Sequence, residues 1–118
     1  MKKKNYVRDD FDIVFYEGVV SRSPNYVEAL IPLAEAYTTR GFYEKGLEID
    51  ERLSLLCKDD PFVFYNLGCS YALVGKKRKA IHALKKAIAL GYADFAHMRK
   101  DTDLRCLHGD KEFENLFP

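Results

Sequence analysis

Three cysteines, Cys57, Cys69 and Cys106, and three histidines, His82, His97 and His108, are the side chains best suited to nucleophilic, redox or metal chemistry. Their spacing argues against each. Zinc sites recruit ligands in short pairs separated by two to five residues. The closest pair here, Cys106-x-His108, is too tight for that, and the three histidines fall on different segments. No metal and no cofactor is expected. A reactive thiol needs a basic neighbour or a helix N-terminus to lower its pKa. Cys69 has no such neighbour within one helical turn, so it reads as a small packing residue. The carboxylate pairs Asp59-Asp60 and Asp101-x-Asp103 stand where helix starts are expected, and capping accounts for them without catalysis. Phosphate-cradling glycine loops, zinc-protease helices and nucleophile elbows have no matching motif. The chain therefore reads as no enzyme; a small thiol or hydrolytic enzyme built on Cys69 or a carboxylate pair is the weakest alternative.

The densest charge feature is Lys76-Lys77-Arg78-Lys79, with Lys85-Lys86 one to two turns on. Nucleic-acid binding would require such a run to extend over a basic face interleaved with exposed aromatics. The whole chain, with 19 lysines plus arginines against 18 aspartates plus glutamates, supplies no such field. No nucleic-acid partner is expected. Four cations at a helix start oppose the backbone dipole, so Lys76, Lys77, Arg78 and Lys79 form a candidate patch for an acidic partner surface.

The elements that position these residues are helical. The 118 residues suit one domain, and 47% apolar with 31% charged residues is ordinary for a folded globular chain. Charges interrupt every apolar stretch before it reaches membrane-spanning length, so no membrane partner is expected. Asp9, Asp10 and Asp12 likewise break the apolar run that would make the basic N-terminus a secretory leader. An odd number of cysteines without C-x-x-C fits reduced thiols, and a cytoplasmic location is expected.

Displacing the sequence by 34 positions aligns Leu30 with Phe64, Leu33 with Leu67, Ala34 with Gly68, Tyr37 with Tyr71 and Gly41 with Gly75. The spacing puts the large groups on one helical face and the glycine just past the helix end. A second apolar-periodic segment follows each glycine, through Tyr43, Leu47, Ile49, Leu53 and Leu56 in one copy and Ala80, Leu84, Ala87 and Ile88 in the other. Each copy is thus a helix-turn-helix pair. Asp60-Pro61 and Ser23-Pro24 offer a capping side chain before proline, predicting starts near 24 and 60.

This pattern resembles the tetratricopeptide repeat, whose signature is aromatic-x-x-Leu-Gly-x-x-Tyr, then Ala-x-x-x-aromatic, then proline. Phe64, Leu67, Gly68, Tyr71, Ala80 and Ala87 match in the second copy; the first keeps Leu33, Ala34 and Tyr37 but has Gly46 where alanine is usual and Asp50 where an aromatic is usual. The second helix of that copy is therefore expected to sit differently. Tyr16, Val19 and Pro24 fall on late positions of a preceding repeat, and the stretch from Gly91-Tyr92 through Leu116 resembles the closing segment of bacterial members. The resemblance implies an all-α fold of antiparallel helix-turn-helix pairs stacked as a right-handed superhelical solenoid. It implies one domain over 1–118, with a half repeat at 9–23, fuller repeats at 25–58 and 60–91, and a degenerate repeat with capping helix at 92–118. Phe95, Leu104, Leu107, Phe113 and Leu116 would cover the apolar end of the stack.

The family's first helices line a concave groove that holds a peptide or partner protein. On this sequence its places fall on Glu28, Ile31, Glu35 and Thr38, then on Phe62, Tyr65, Asn66 and Cys69. Asn66 matches the family's carboxylate-clamping set and Arg99 would lie nearby in the degenerate third unit, but Ile31 and Glu35 stand where a basic residue and asparagine would be needed. Glu28 and Glu35 would repel a carboxylate and suit a basic or amphipathic segment. The expected function is a non-catalytic interaction scaffold. The alternative is a self-associating subunit, a homodimer through residues 9–23, whose Phe11, Val14, Phe15 and Val19 would form an unpaired apolar stripe.

Overall fold

The computed structural model describes the backbone of residues 2–118 and the side chains of residues 11–118. Expectations for the basic N-terminal run and for Asp9 and Asp10 concern side chains outside that range. Among the described residues the structure is helical, with no strand. The α-helices run in order: α1 Lys2–Arg22, α2 Val27–Thr39, α3 Tyr43–Leu56, α4 Pro61–Leu73, α5 Lys77–Ala89, α6 Phe95–Lys100 and α7 Lys111–Glu114, with a short 3-10 helix, Thr102–Leu107, between α6 and α7. They form two compact units, Met1–Leu56 and Cys57–Pro118.

In the first unit α1 packs on α2, and α2 on α3. Leu30, Leu33, Ala34 and Tyr37 of α2 are buried, as are Leu47, Ile49 and Leu53 of α3. Asp50, where an aromatic was expected, is also buried. Tyr37 donates its hydroxyl to Glu17 of α1, and burial, reinforced by that bond, raises the phenol's pKa. The start of α2 differs from the sequence reading. Tyr26, not Ser23, precedes the helix, and no side chain caps it. Ser23, Pro24 and Asn25 instead form a turn closed by Tyr26 N–H on the Ser23 carbonyl at 3.1 Å, while the Pro24 carbonyl accepts from Arg52 of α3 at 3.2 Å. Proline, placed one residue into this turn, fixes its backbone rather than opening the helix.

Both pairs end their first helix alike. Gly41 has φ 86° and Gly75 φ 83°. In each turn the glycine N–H returns to the carbonyl three residues back, Thr38 or Ala72. The next N–H, from Phe42 or Lys76, reaches the carbonyl of Tyr37 or Tyr71. These are Schellman turns, which need the left-handed residue that glycine supplies without a Cβ penalty.

In the second unit α4 packs on α5 and on the 3-10 helix. Asp60 caps α4, accepting from Phe62 N–H at 2.9 Å with Pro61 at the first helical position. One apolar cluster joins Tyr65, Cys69, Ile81, Leu84, Tyr92, Met98, Leu104, Leu107 and Phe113. Leu104, Leu107 and Phe113 have no exposed surface, and Phe95 and Leu116 pack partly buried against them. α4 is apolar nearly all round because one side meets α5 and another meets the C-terminal segment.

Candidate functional site

Each small residue at a helix crossing has a measurable reason. A Cβ on Gly68 would lie 2.8 Å from Leu84 Cγ and Cδ2 and 3.2 Å from the Ala80 carbonyl oxygen; one on Gly46 would lie 2.8 Å from Thr38 Oγ1 and 3.6 Å from the Ala34 carbonyl oxygen. The glycine-alanine pair is exchanged between copies, Ala34 with Gly46 and Gly68 with Ala80. Gly46 thus takes part in the same kind of crossing as its counterpart.

The eight groove candidates divide by helix and by exposure. On α2, Glu28, Ile31 and Glu35 are exposed along one face and Thr38 is half-buried. On α4, Phe62 is 63% exposed, its ring edge-on to Tyr92 with centroids 5.9 Å apart, and Asn66 is exposed one turn later. Tyr65 and Cys69 are placed otherwise. Both are buried, covered by the chain's own C-terminal segment rather than open as the repeat register implied.

The Tyr65 ring stacks on Tyr92 at 4.4 Å with 8° between planes, and its hydroxyl donates to Asp101 Oδ2 at 2.6 Å. Burial and the adjoining acidic groups push the phenol's pKa upward. The Cys69 thiol points at the same oxygen from 3.7 Å, and burial followed by the Asp101 and Asp103 charges raises its pKa well above the ordinary value. That is the reverse of what activates a cysteine nucleophile.

Cys69 Sγ and carboxylate oxygens of Asp101 and Asp103 lie within 4.8 Å of one another, with His97 Nε2 3.4 Å from Asp101. Sequence spacing alone did not bring these groups together. Both Asp101 oxygens already have local partners: Oδ2 accepts from Tyr65, and Oδ1 accepts from Asp103 N–H at 3.0 Å, capping the 3-10 helix. The arrangement fastens the C-terminal segment to α4. Desolvation, and then the charge of Asp101, raise the Asp103 carboxyl.

The basic run at the start of α5 is dispersed by the structure. Lys76 is the residue before the helix and Lys77 its first residue. Arg78 pairs with Asp110 and Glu112 of the C-terminal segment, and Lys85 lies 3.5 Å from Glu112. Burial works to raise the Asp110 carboxyl, but the Phe113 N–H and Arg78 outweigh it and hold the group low. Lys79 turns away, its ammonium 5.8 Å from the Tyr71 ring centroid.

Solved structures share this arrangement of paired helices. A crystal structure of MamA superimposes with TM-score 0.73 at 29% identity, over 96% of this chain and 65% of that one. A second, of MamA protein, gives TM-score 0.67 at 31% identity, over 76% of this chain and 49% of that one. MamA is built of tetratricopeptide repeats. With the repeat register, the glycine turns and these neighbours in agreement, the family is settled. The chain is a tetratricopeptide-repeat protein.

Its fold class is the all-α solenoid of tetratricopeptide repeats. A chloroplastic protein of Arabidopsis thaliana is 33% identical over 84 residues, an alignment covering 68% of this tetratricopeptide-repeat chain and 25% of the plant protein. The chain therefore spans about a quarter of its plant relative and between half and two thirds of the MamA chains. No protein-family model matches it. Among the described residues no helix is long and apolar enough to cross a membrane.

Proposed function

We propose that this chain is a non-catalytic scaffold that holds a partner protein or peptide on the first helix of each repeat pair. The observation that carries this reading is the exposure of unlike but complementary side chains on those helices. Glu28, Ile31 and Glu35 offer an apolar centre between two carboxylates on α2, and Phe62 with Asn66 offers an aromatic beside an amide on α4. Isolated exposed apolar residues are common; here the acidic flanks give the α2 set a preference for a basic or amphipathic segment. Reduced thiols make a cytoplasmic setting part of the same proposal.

The test reverses a charge and removes a ring. Glu35→Lys and Phe62→Ala should each weaken partner binding about tenfold or more, as truncation of an interface anchor does, with far-ultraviolet circular dichroism unchanged. Unaltered affinity in both variants would move the site off these helices. Tyr65 is unsuited to this test, because its side chain fastens the second unit.

A second reading is favoured by α1. Phe11, Val14 and Phe15 are 71%, 64% and 56% exposed on that helix, an apolar stripe of the kind that pairs with another copy. Sedimentation equilibrium separates the readings: a mass that rises with concentration and returns to monomer in Phe11→Ser/Phe15→Ser supports self-association. A constant monomeric mass removes it.

A further inference from the structure

We propose that Cys69, His97, Asp101 and Asp103 form a zinc site that clips the C-terminal segment onto α4. The donors come from three elements: Cys69 from α4, His97 from α6, and the two aspartates from the cap and first turn of the 3-10 helix. Spacing along the chain conceals the set, because Cys69 and Asp101 are 32 positions apart. The site does not rest on the scaffold reading, since it lies under the chain's own cover on α4.

The distances suit a tetrahedral ion. Zinc binds sulfur at about 2.3 Å and nitrogen or oxygen at about 2.0–2.1 Å, which sets sulfur–oxygen edges of about 3.5 Å and nitrogen–oxygen edges of about 3.3 Å. Cys69 Sγ stands 3.7 Å from Asp101 Oδ2, and His97 Nε2 stands 3.4 Å from the same oxygen. An oxygen of Asp103 completes a trio with Cys69 Sγ and Asp101 in which all members lie within 4.8 Å of one another. His97, the fourth donor, has a side chain 58% exposed; it is able to turn toward the trio, and its open side gives the ion a path from solvent.

Charge supplies an independent reason. Among the described residues no lysine or arginine lies within ion-pair distance of Asp101 or Asp103. Asp101 accepts from Tyr65 and from the Asp103 N–H, but no donor of the described residues reaches the Asp103 carboxylate. Desolvation and the Asp101 charge hold that carboxyl up, and burial followed by both aspartates does the same to the Cys69 thiol. Anions crowded in a partly desolvated site oppose one another unless a cation joins them. One divalent ion would relieve all three groups, and the two hydrogen bonds to Asp101 are the outer contacts that orient a ligating carboxylate.

Donor type selects the metal. Calcium and magnesium take oxygen ligands, whereas thiolate with imidazole suits zinc. On binding, the sulfur–metal bond replaces the Cys69 S–H bond, and the proton leaves to solvent.

Cobalt(II) is the probe, titrated into the reduced full chain and then displaced by zinc. A thiolate-to-cobalt charge-transfer band is expected, saturating at equimolar cobalt and vanishing as zinc is added. Cys69→Ser should abolish the band, whereas Cys57→Ser/Cys106→Ser should keep it. His97→Ala, a change at an exposed position, should weaken cobalt binding by roughly tenfold or more, at least the loss seen when an outer contact is removed. Asp103→Asn should weaken it likewise. Zinc should also raise the melting temperature of the unaltered chain, as a ligand of the folded state does, and calcium should not. The proposal is overturned if no band forms, if the band survives Cys69→Ser or is lost in Cys57→Ser/Cys106→Ser, if His97→Ala and Asp103→Asn bind as tightly as the unaltered chain, or if calcium stabilises as much as zinc. Circular dichroism checks each fold; should Cys69→Ser lose its helices, His97→Ala and Asp103→Asn decide.

Discussion

The two helix pairs, α2 with α3 and α4 with α5, carry the same repeat in the same register yet use corresponding positions differently. Ile31 of α2 is 46% exposed, whereas Tyr65, its counterpart 34 positions on in α4, is 5% exposed. Glu35 is exposed, whereas its counterpart Cys69 is buried. Crossing residues are alike in size but exchanged in order, with the glycine on the second helix of the first pair and on the first helix of the second. A repeat thus fixes where a side chain stands along its helix. Whether that side chain meets a partner or the chain itself depends on what covers the helix, and in the second pair the cover is the segment from Phe95 to Phe117.

Removing the cover should give the largest effect. Phe113 is fully buried, with its ring 5.2 Å from Phe117 and 5.8 Å from His108. Phe113→Ala should cost about 3–5 kcal/mol in urea unfolding, the usual range for a large ring deleted from a core. It should also speed alkylation of Cys69. Unchanged Cys69 reactivity would show that the C-terminal segment shields α4 without this ring.

The exchanged glycines give the next effect. Gly68→Ala must push Leu84, a fully buried side chain, away from 2.8 Å contacts; a loss of about 1–3 kcal/mol is expected from overpacking. Gly46→Ala meets only the movable hydroxyl of Thr38 at that distance. Alanine's helix preference of about 0.5–1 kcal/mol should offset the contact there, leaving melting temperature nearly unchanged. Equal losses in both variants would erase the distinction between the pairs.

The smallest effect is electrostatic. Because the Asp103 pKa is raised in the folded state, folding favours its protonated form. The stabilisation this gives is present below the unfolded pKa of about 3.9 and is lost as pH rises through the folded value. At neutral pH the charged carboxylate therefore opposes folding. Asp103→Asn should raise the melting temperature by about a degree or two at pH 7, small because the group is still partly hydrated, and the gain should vanish near pH 3. A gain independent of pH would mean that charge is not its source.

Much of the fold was legible because it depends on local periodicity. Leu30, Leu33 and Tyr37 fix the buried face of α2, Gly41 and Gly75 mark their turns, and Asp60 and Asp101 read as caps because capping is settled within three residues. The start of α2 was misplaced because Ser23-Pro24 is equally good turn chemistry. The Tyr65–Asp101 hydrogen bond was hidden for a different reason. It joins residues 36 positions apart, and no periodic pattern couples α4 to the loop before the 3-10 helix. Exposure on α2 was readable from helical phase, whereas burial of Tyr65 and Cys69 required knowing which segment returns to α4. The basic run read as one patch divided for the same reason: Arg78 answers to carboxylates more than thirty residues away.

The stack of Tyr65 on Tyr92 equips the protein with an optical reporter. The chain contains no tryptophan, so its near-ultraviolet emission comes from tyrosine alone, and a phenol that donates to a carboxylate is quenched. Release of the C-terminal segment would separate the two rings and free the Tyr65 hydroxyl, brightening the protein without any added dye. Tyr65→Phe removes that signal, so the difference between the two emission traces follows one joint of the fold in real time.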